Sequence, residues 1–202
     1  TTGVTLLLSI SGGNIRNPEN YGFEEVMTNI LCTNILRQIR YRQYEGLILN
    51  DFNISSETLM DSSRIIIECE TEDFYSIINA VANSLIMDEV VPTDADRIVQ
   101  GRRTRKRLEN GSVTNQMFSA SVNSIFSNDL YKKIFDTQNE ILEDITYEKI
   151  LQNYPSLLQP ERYTLILSGN FDSSVLQTTI SDSFSLLKKN EDEKSSLAQK
   201  VE

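Results

Sequence analysis

The sequence contains no histidine among its 202 residues. Catalytic zinc sites are built mainly from imidazole ligands, and serine and cysteine hydrolases usually rely on a histidine base. We therefore do not expect this chain to carry either chemistry unaided. Catalysis through lysine or carboxylate groups stays open.

Cysteine and basic residues are also scarce. Cys32 and Cys69 lie singly in apolar segments, which predicts buried free thiols and no metal site. The chain has 19 Lys and Arg against 29 Asp and Glu, for a formal net charge of −10. It therefore lacks the basic surface that binding to nucleic acid or to an anionic membrane requires. Its apolar runs are also too short to span a bilayer.

The spacing of the apolar residues predicts an α+β domain, with a mixed or antiparallel sheet and helices packed on one face. Predicted strands cover 3–12, 47–55, 63–70 and 162–169. Predicted helices cover 23–40, 72–88, 91–110, two pieces within 115–137, 146–158 (ended by Pro155) and 173–189. One domain is expected over 1–187, followed by a polar linker or tail over 188–202. The abrupt opening on TTGVTLLLSI leads us to expect a piece of a longer polypeptide.

Three segments carry more specific expectations. Val26, Met27, Ile30 and Leu31 recur at helical spacing, which predicts that they pack against the strands TLLLSI and RIIIE. The basic run RRTRKR at 102–107 is expected to be a solvated face near a helix C-terminus, with an anion or partner site as the alternative. The acidic run ECETED at 68–73 is expected to be a strand end followed by a helix N-terminus, with a carboxylate-based active site as the alternative.

Four stretches match, in order and spacing, the elements of one known kind of domain. LLLSISGGNIRNPENYGFEEVMTNIL is similar to a first strand, a turn, and a helix that opens with glycine and then H-x-x-E-H. SSRIIIECETEDFYSIINAVANSLIMDEVVPTDADRIVQGRR is similar to a later strand, a long helix and the start of the next helix. ITYEKILQNYPSLLQPERYTLILSGNFD and SSVLQTTISDSFSLL are similar to the closing helix, strand and short helix. Together they resemble a homology domain of the pitrilysin/insulinase family of zinc peptidases, the inverzincins, which shares its fold with the mitochondrial processing peptidases.

The resemblance places the zinc signature on residues that cannot stand in for its His–His–Glu ligand set. With Gly22 at the family's glycine, the H-x-x-E-H positions fall on Glu25, Thr28 and Asn29. In active relatives the two histidines hold zinc and the glutamate activates the bound water. A third ligand, also glutamate, comes from the later helix that here carries the basic run at 102–107. The resemblance therefore implies a domain with no catalytic or metal-binding residue of its own, and zinc only in a catalytic partner domain.

The resemblance also implies partners. Family members pair similar domains, of which one carries the metal, while the others complete a closing chamber and hold peptide substrate. The expected partners are other domains of the same polypeptide or a homologous catalytic subunit. RQYEGLIL at 42–49 resembles the family's R-E-x-x-G-L-x-Y stretch, in which an arginine and a tyrosine reach substrate. Arg42 fits the arginine, but Leu49 stands in place of the tyrosine.

Two other hypotheses compete with this one. The same fold can serve as a scaffold or interaction protein with no peptidase in its assembly. Alternatively, the chain is an unrelated α+β enzyme that uses the carboxylates of ECETED. The sequence does not indicate a substrate or a cellular compartment.

Overall fold

The computed structural model describes residues 3–16, 22–126, 145–185 and 187. The four strands are β1 (Gly3–Ser11), β2 (Asn53–Thr58), β3 (Ser62–Glu70) and β4 (Tyr163–Gly169). The described ranges contain six α-helices, namely α1 (Phe23–Tyr44), α2 (Phe74–Ile86), α3 (Pro92–Asn110), α4 (Val113–Ile125), α5 (Tyr147–Leu157) and α6 (Ser173–Phe184). Short 3-10 helices cover Gly13–Arg16 and Pro160–Arg162. The predicted fold class is confirmed.

The four strands form one antiparallel sheet in the order β2-β3-β1-β4. The first strand of the chain is therefore central: Leu7 pairs with Ile66 on one side and with Ile166 on the other. Burial alternates along β1, as expected for a strand with one face on the core and one face towards solvent. The edges of the sheet are β2 and β4.

The core lies between the inner face of the sheet and the helices. The predicted inward face of α1 is confirmed, because Val26, Met27, Ile30 and Leu31 are all buried in one cluster with the inner residues of β1 and β3. The strand residues of that cluster are Val4, Leu6, Leu8, Ile10, Ile65, Ile67 and Cys69. Helix α1 thus has a fixed rotation about its axis, which sets where its remaining side chains point.

Several predicted boundaries were wrong, including the end of the helix predicted over 173–189, which stops at Phe184. The strand predicted over 47–55 begins only at Asn53, because the backbone before it binds a side chain and joins no neighbouring strand. Pro155 lies inside α5, which runs two residues further to Leu157. Helix α1 continues beyond Arg40 to Tyr44. The predicted second helix within 115–137 and the tail over 188–202 lie outside the described residues.

Both thiols are free, as predicted, and Cys69 is buried while Cys32 is half-buried. Burial raises the pKa of Cys69 to about 11, helped by the charges of Asp73 and Glu70, and burial also raises the pKa of Cys32. Both groups are therefore protonated near neutral pH, which disfavours a nucleophilic role. Within the described part of the chain, no helix is both long and apolar enough to cross a membrane.

Candidate functional site

Helix α1 begins at a glycine in a left-handed conformation. Gly22 has a φ of 89° and precedes Phe23 as the N-cap, with no side-chain cap. A left-handed N-cap strongly favours glycine, because a Cβ there would be strained. One turn later, Glu25 and Asn29 stand on the same side of the helix, as residues four apart must. The Asn29 side-chain amide donates to the Glu25 carbonyl oxygen at 2.9 Å.

Glu25 forms an ion-pair cluster with the basic helix. Its carboxylate pairs with the Arg102 guanidinium, and its other oxygen lies 3.3 Å from Nη1 of Arg105. The Arg102 side chain is 11% exposed and that of Glu25 is 21% exposed, whereas Arg105 is 68% exposed. Arg102 thus reaches the first signature position from the helix where the family resemblance expects the third zinc ligand.

The side chains at the two other signature positions lie in different surroundings. The side-chain oxygen of Asn29 accepts a hydrogen bond from the Ser56 hydroxyl at 2.9 Å, which ties α1 to the edge strand β2. Thr28 is buried, and its hydroxyl has no hydrogen-bond partner among the described residues. Two of the signature positions line a polar cavity of about 240 Å³. Its lining residues are Glu25, Asn29, Ser56, Glu57, Thr58 and Arg105.

This arrangement does not fit zinc. Only Glu25 of the three signature positions is an anionic ligand, and its carboxylate already faces two guanidinium groups. Across the described residues, no group of three or more His, Cys, Asp or Glu side chains could hold a metal ion. The cluster therefore lacks the ligands that would polarise a zinc-bound water.

The basic run is only in part the solvated face that was predicted. Lys106 is buried and Arg102 is nearly so, whereas Arg105 and Arg107 are exposed. A carboxylate 77 positions earlier in the chain explains the burial of Arg102. The helical spacing of 102 and 106 shows which two basic residues share a face. It does not show that this face turns inward.

The segment after α1 is held in one conformation by a side chain from another element. The main-chain N–H groups of Leu49 and Asn50 donate to the two oxygens of Asp73, each at 2.9 Å. Ile48 between these contacts and the helix is buried, whereas Leu47 and Leu49 are 52% and 75% exposed. The segment 47–50 therefore presents two apolar side chains from a fixed backbone.

Arg42, the predicted substrate contact, lies in the last turn of α1 and is half-buried. Its carbonyl oxygen accepts the Leu47 N–H at 2.8 Å, so the helix end leads directly into the fixed segment. The exposed side chains of Tyr41 and Tyr44 flank it along the chain. Arg42 and Leu49 thus stand at the two ends of one rigid turn.

The acidic run ECETED has the structural place expected for it. Strand β3 ends at Glu70 and α2 begins at Phe74, with Asp73 as the N-cap. Asp73 does not cap its own helix, because its carboxylate binds the segment 47–50. Glu68 accepts from the Asn53 side chain at 3.1 Å. The acidic composition alone could not indicate that Asp73 binds the segment 47–50.

A buried ion pair next to the site was not anticipated from the sequence. Arg162 pairs with Glu24, and both side chains are at most 3% exposed. The guanidinium also donates to the Ser11 carbonyl oxygen at 2.9 and 2.7 Å and to the Ser156 carbonyl oxygen at 3.0 Å. Burial raises the pKa of Glu24, although Arg162 and Arg16 act in the opposite direction. This pair joins the start of α1 to the ends of β1 and α5.

Comparison with known proteins agrees with this fold. A family model described as "Peptidase M16 inactive domain" matches residues 144–202. Among solved structures, a protease from Helicobacter pylori superimposes with a TM-score of 0.76 at 14% identity, over 96% of this chain and 47% of that one. The periplasmic protease PqqL from Escherichia coli gives 0.72 at 18% identity, over 95% and 22%. Pitrilysin gives 0.72 at 13% identity, over 96% and 21%.

A search of curated protein sequences finds no match. The chain spans about half or less of the length of the three solved structures. The predicted resemblance to the pitrilysin/insulinase family is borne out by the shared fold and by the inactive-domain model over residues 144–202.

The mismatch with zinc gives a direct prediction. The triple variant Glu25→His, Thr28→Glu and Asn29→His is expected to bind no zinc tightly and to cleave no peptide. Arg102 still places a cation where the metal would lie, and the third ligand is still missing. Equilibrium dialysis followed by metal analysis checks this, with the unaltered protein as the matched control. One tightly held zinc per chain in either protein would contradict our interpretation of the site.

Proposed function

We propose that this domain is the non-catalytic member of a pitrilysin-like zinc peptidase assembly, in which it closes a chamber over a catalytic domain and binds peptide substrate. The observation that supports it most directly is the Glu25–Arg102 ion pair at the position of the zinc ligands. A domain whose metal position is filled by its own arginine contributes to proteolysis through its surfaces. The zinc and the activated water come from a partner domain.

The segment 42–50 is the proposed contact with substrate or with the catalytic domain. Two main-chain N–H groups of the segment donate to the Asp73 carboxylate, and together with the buried Ile48 these bonds hold its backbone before any partner arrives. A preformed surface loses little conformational freedom on binding, which favours affinity. Leu49 in place of the family's tyrosine gives this surface an apolar contact without a phenolic hydroxyl.

The sheet edges offer a second means of holding a peptide. Strand β2 is an edge strand, so one side of its backbone is not used within the sheet. An extended peptide can add to such an edge through main-chain hydrogen bonds. In that arrangement the polar cavity beside Ser56 and Thr58 would receive one peptide side chain.

The experiment removes this domain from the full-length protein that contains it. Peptidase activity should be lost, while the catalytic domain stays folded and retains zinc, because closure and substrate binding are gone and the metal ligands are not. Circular dichroism and metal analysis of the truncated protein show that the catalytic domain is intact. Undiminished activity after the deletion would favour a scaffold role for this domain.

Point changes then test the segment. Arg42→Ala is expected to have a milder effect than the deletion, and Leu49→Ala tests the residue at the tyrosine position. Leu151→Ala is the control, because Leu151 is an exposed leucine on α5, outside this segment. A raised KM for Leu49→Ala but not for Leu151→Ala is the result expected. Equal KM values for both variants would show that segment 42–50 does not contact substrate.

A further inference from the structure

The crossing of α1 and α3 encloses a cation that belongs to the chain itself. Arg102 projects from α3 onto the Glu25 carboxylate of α1 and is shielded from water over most of its side chain. The fold is that of a family with zinc at this place, but the side chains here do not fit zinc. The question is therefore which cation occupies the α1–α3 crossing in this chain.

The start of α1 is shaped around the guanidinium group. A Cβ added to Gly22 would lie 2.6 Å from Nε and 2.7 Å from Cζ of Arg102. Such distances are far inside normal contact, so any other residue at 22 would displace the guanidinium. The left-handed backbone at Gly22 favours glycine, and the absence of a Cβ leaves room for the guanidinium in its present position.

The charge on Glu25 explains why some cation is needed here. A mostly buried carboxylate that loses its buried counter-ion is unfavourable, because the exposed Arg105 then compensates its charge only in part. A guanidinium meets this need with a planar fork that can bind both carboxylate oxygens, which an ammonium group cannot do. Arg105 adds a second, exposed contact on the same carboxylate.

We propose that the Arg102 guanidinium structurally replaces the metal at the α1–α3 crossing, and that Gly22 and Glu25 form a guanidinium-selective site which the chain fills from within. This site joins the two helices that zinc joins in catalytic domains. It does so without any dependence on metal supply. The proposal concerns stability and ligand selectivity, so it stands apart from any role in proteolysis.

The test empties the site and offers it a free ligand. Thermal unfolding of Arg102→Ala is followed with increasing guanidinium chloride, up to about 20 mM, which is far below denaturing concentrations. The midpoint of Arg102→Ala should rise by about 2–4 °C, since a ligand that binds only the folded state stabilises it. Ammonium chloride and zinc chloride at equal concentration should give no such rise.

Arg97→Ala is the matched control, because Arg97 lies on the same helix but forms an exposed pair with Asp94 of its own helix. Its unfolding midpoint should not respond to guanidinium, and neither should that of the unaltered protein. An equal rise in all three proteins would show a general salt effect and overturn the proposal. A rise with zinc in Arg102→Ala would overturn its selectivity.

A second set of variants keeps the test decisive if Arg102→Ala does not fold. Glu25→Gln with Arg102→Met should be more stable than Arg102→Met alone, because the double variant leaves no uncompensated charge. The urea unfolding midpoints of these two variants and of the unaltered protein measure this. If the double variant is no more stable than Arg102→Met alone, Glu25 does not depend on the guanidinium and the proposal fails.

Discussion

Replacing Arg162 with methionine is expected to destabilise the folded domain by about 3–5 kcal/mol, the usual cost of leaving one partner of a buried pair behind. Arg162 is 4% exposed and pairs with Glu24, and its guanidinium also binds the main-chain carbonyls of Ser11 and Ser156. One change thus removes a counter-ion and three hydrogen bonds. Urea unfolding at neutral pH measures the loss.

The destabilisation by Arg162→Met should shrink as the pH falls. Burial raises the pKa of Glu24 in the folded protein, and Arg162 opposes that rise. Without Arg162, the pKa of Glu24 in the folded variant is therefore higher still. A carboxyl whose folded pKa exceeds its unfolded value destabilises fully above the folded value and not at all below the unfolded one. The Glu24 pKa is raised in both folded proteins, so as the pH falls the extra destabilisation of the variant is lost between the folded pKa of the variant and the lower folded pKa of the unaltered protein.

Glu24→Gln with Arg162→Met is the control for that prediction. It removes the titrating group, so its stability difference from the unaltered protein should change far less over the same pH range. A loss below about 0.5 kcal/mol in Arg162→Met, typical of an exposed position, would show that this pair is not a structural link. The same conclusion would follow if the single and double variants had identical pH profiles.

Leu31→Ala is expected to lower the free energy of unfolding by about 2–5 kcal/mol. Leu31 has no exposed surface and lies in the core cluster between α1 and the sheet. Truncation removes apolar burial and leaves a cavity that rigid neighbours on both sides cannot fill. Leu151→Ala, a helical leucine that is 44% exposed, should cost far less. Equal losses for the two variants would mean that the burial of Leu31 contributes no more than an exposed contact.

The parts of this fold that repeat locally were predictable. The spacing of Val26, Met27, Ile30 and Leu31 identified the inner face of α1, because a helix brings residues three and four apart together whatever surrounds it. β1, β3 and β4 began and ended within a residue of their predicted bounds. Short isoleucine- and leucine-rich runs between turn residues are specific enough for that purpose.

The parts that depend on distant side chains were not predictable. Leu49 and Asn50 have strand-like neighbours in sequence, but their N–H groups bind Asp73, more than 20 residues later. Arg102 sits in a run that looks solvated, but it is drawn inward by Glu25. Glu24 and Arg162 are 138 positions apart. In each case the outcome depends on a tertiary contact that periodicity does not encode.

The central position of β1 has a consequence for how the chain folds as it is synthesised. Its pairing with β3 can form once residue 70 has emerged, but its other edge waits for β4, which begins at Tyr163. Such long-range pairing makes folding slow. Between these two events, an apolar strand keeps one side of its backbone open, and open edges recruit strands from other chains. The nascent chain is therefore most prone to aggregation between the completion of β3 and the arrival of β4.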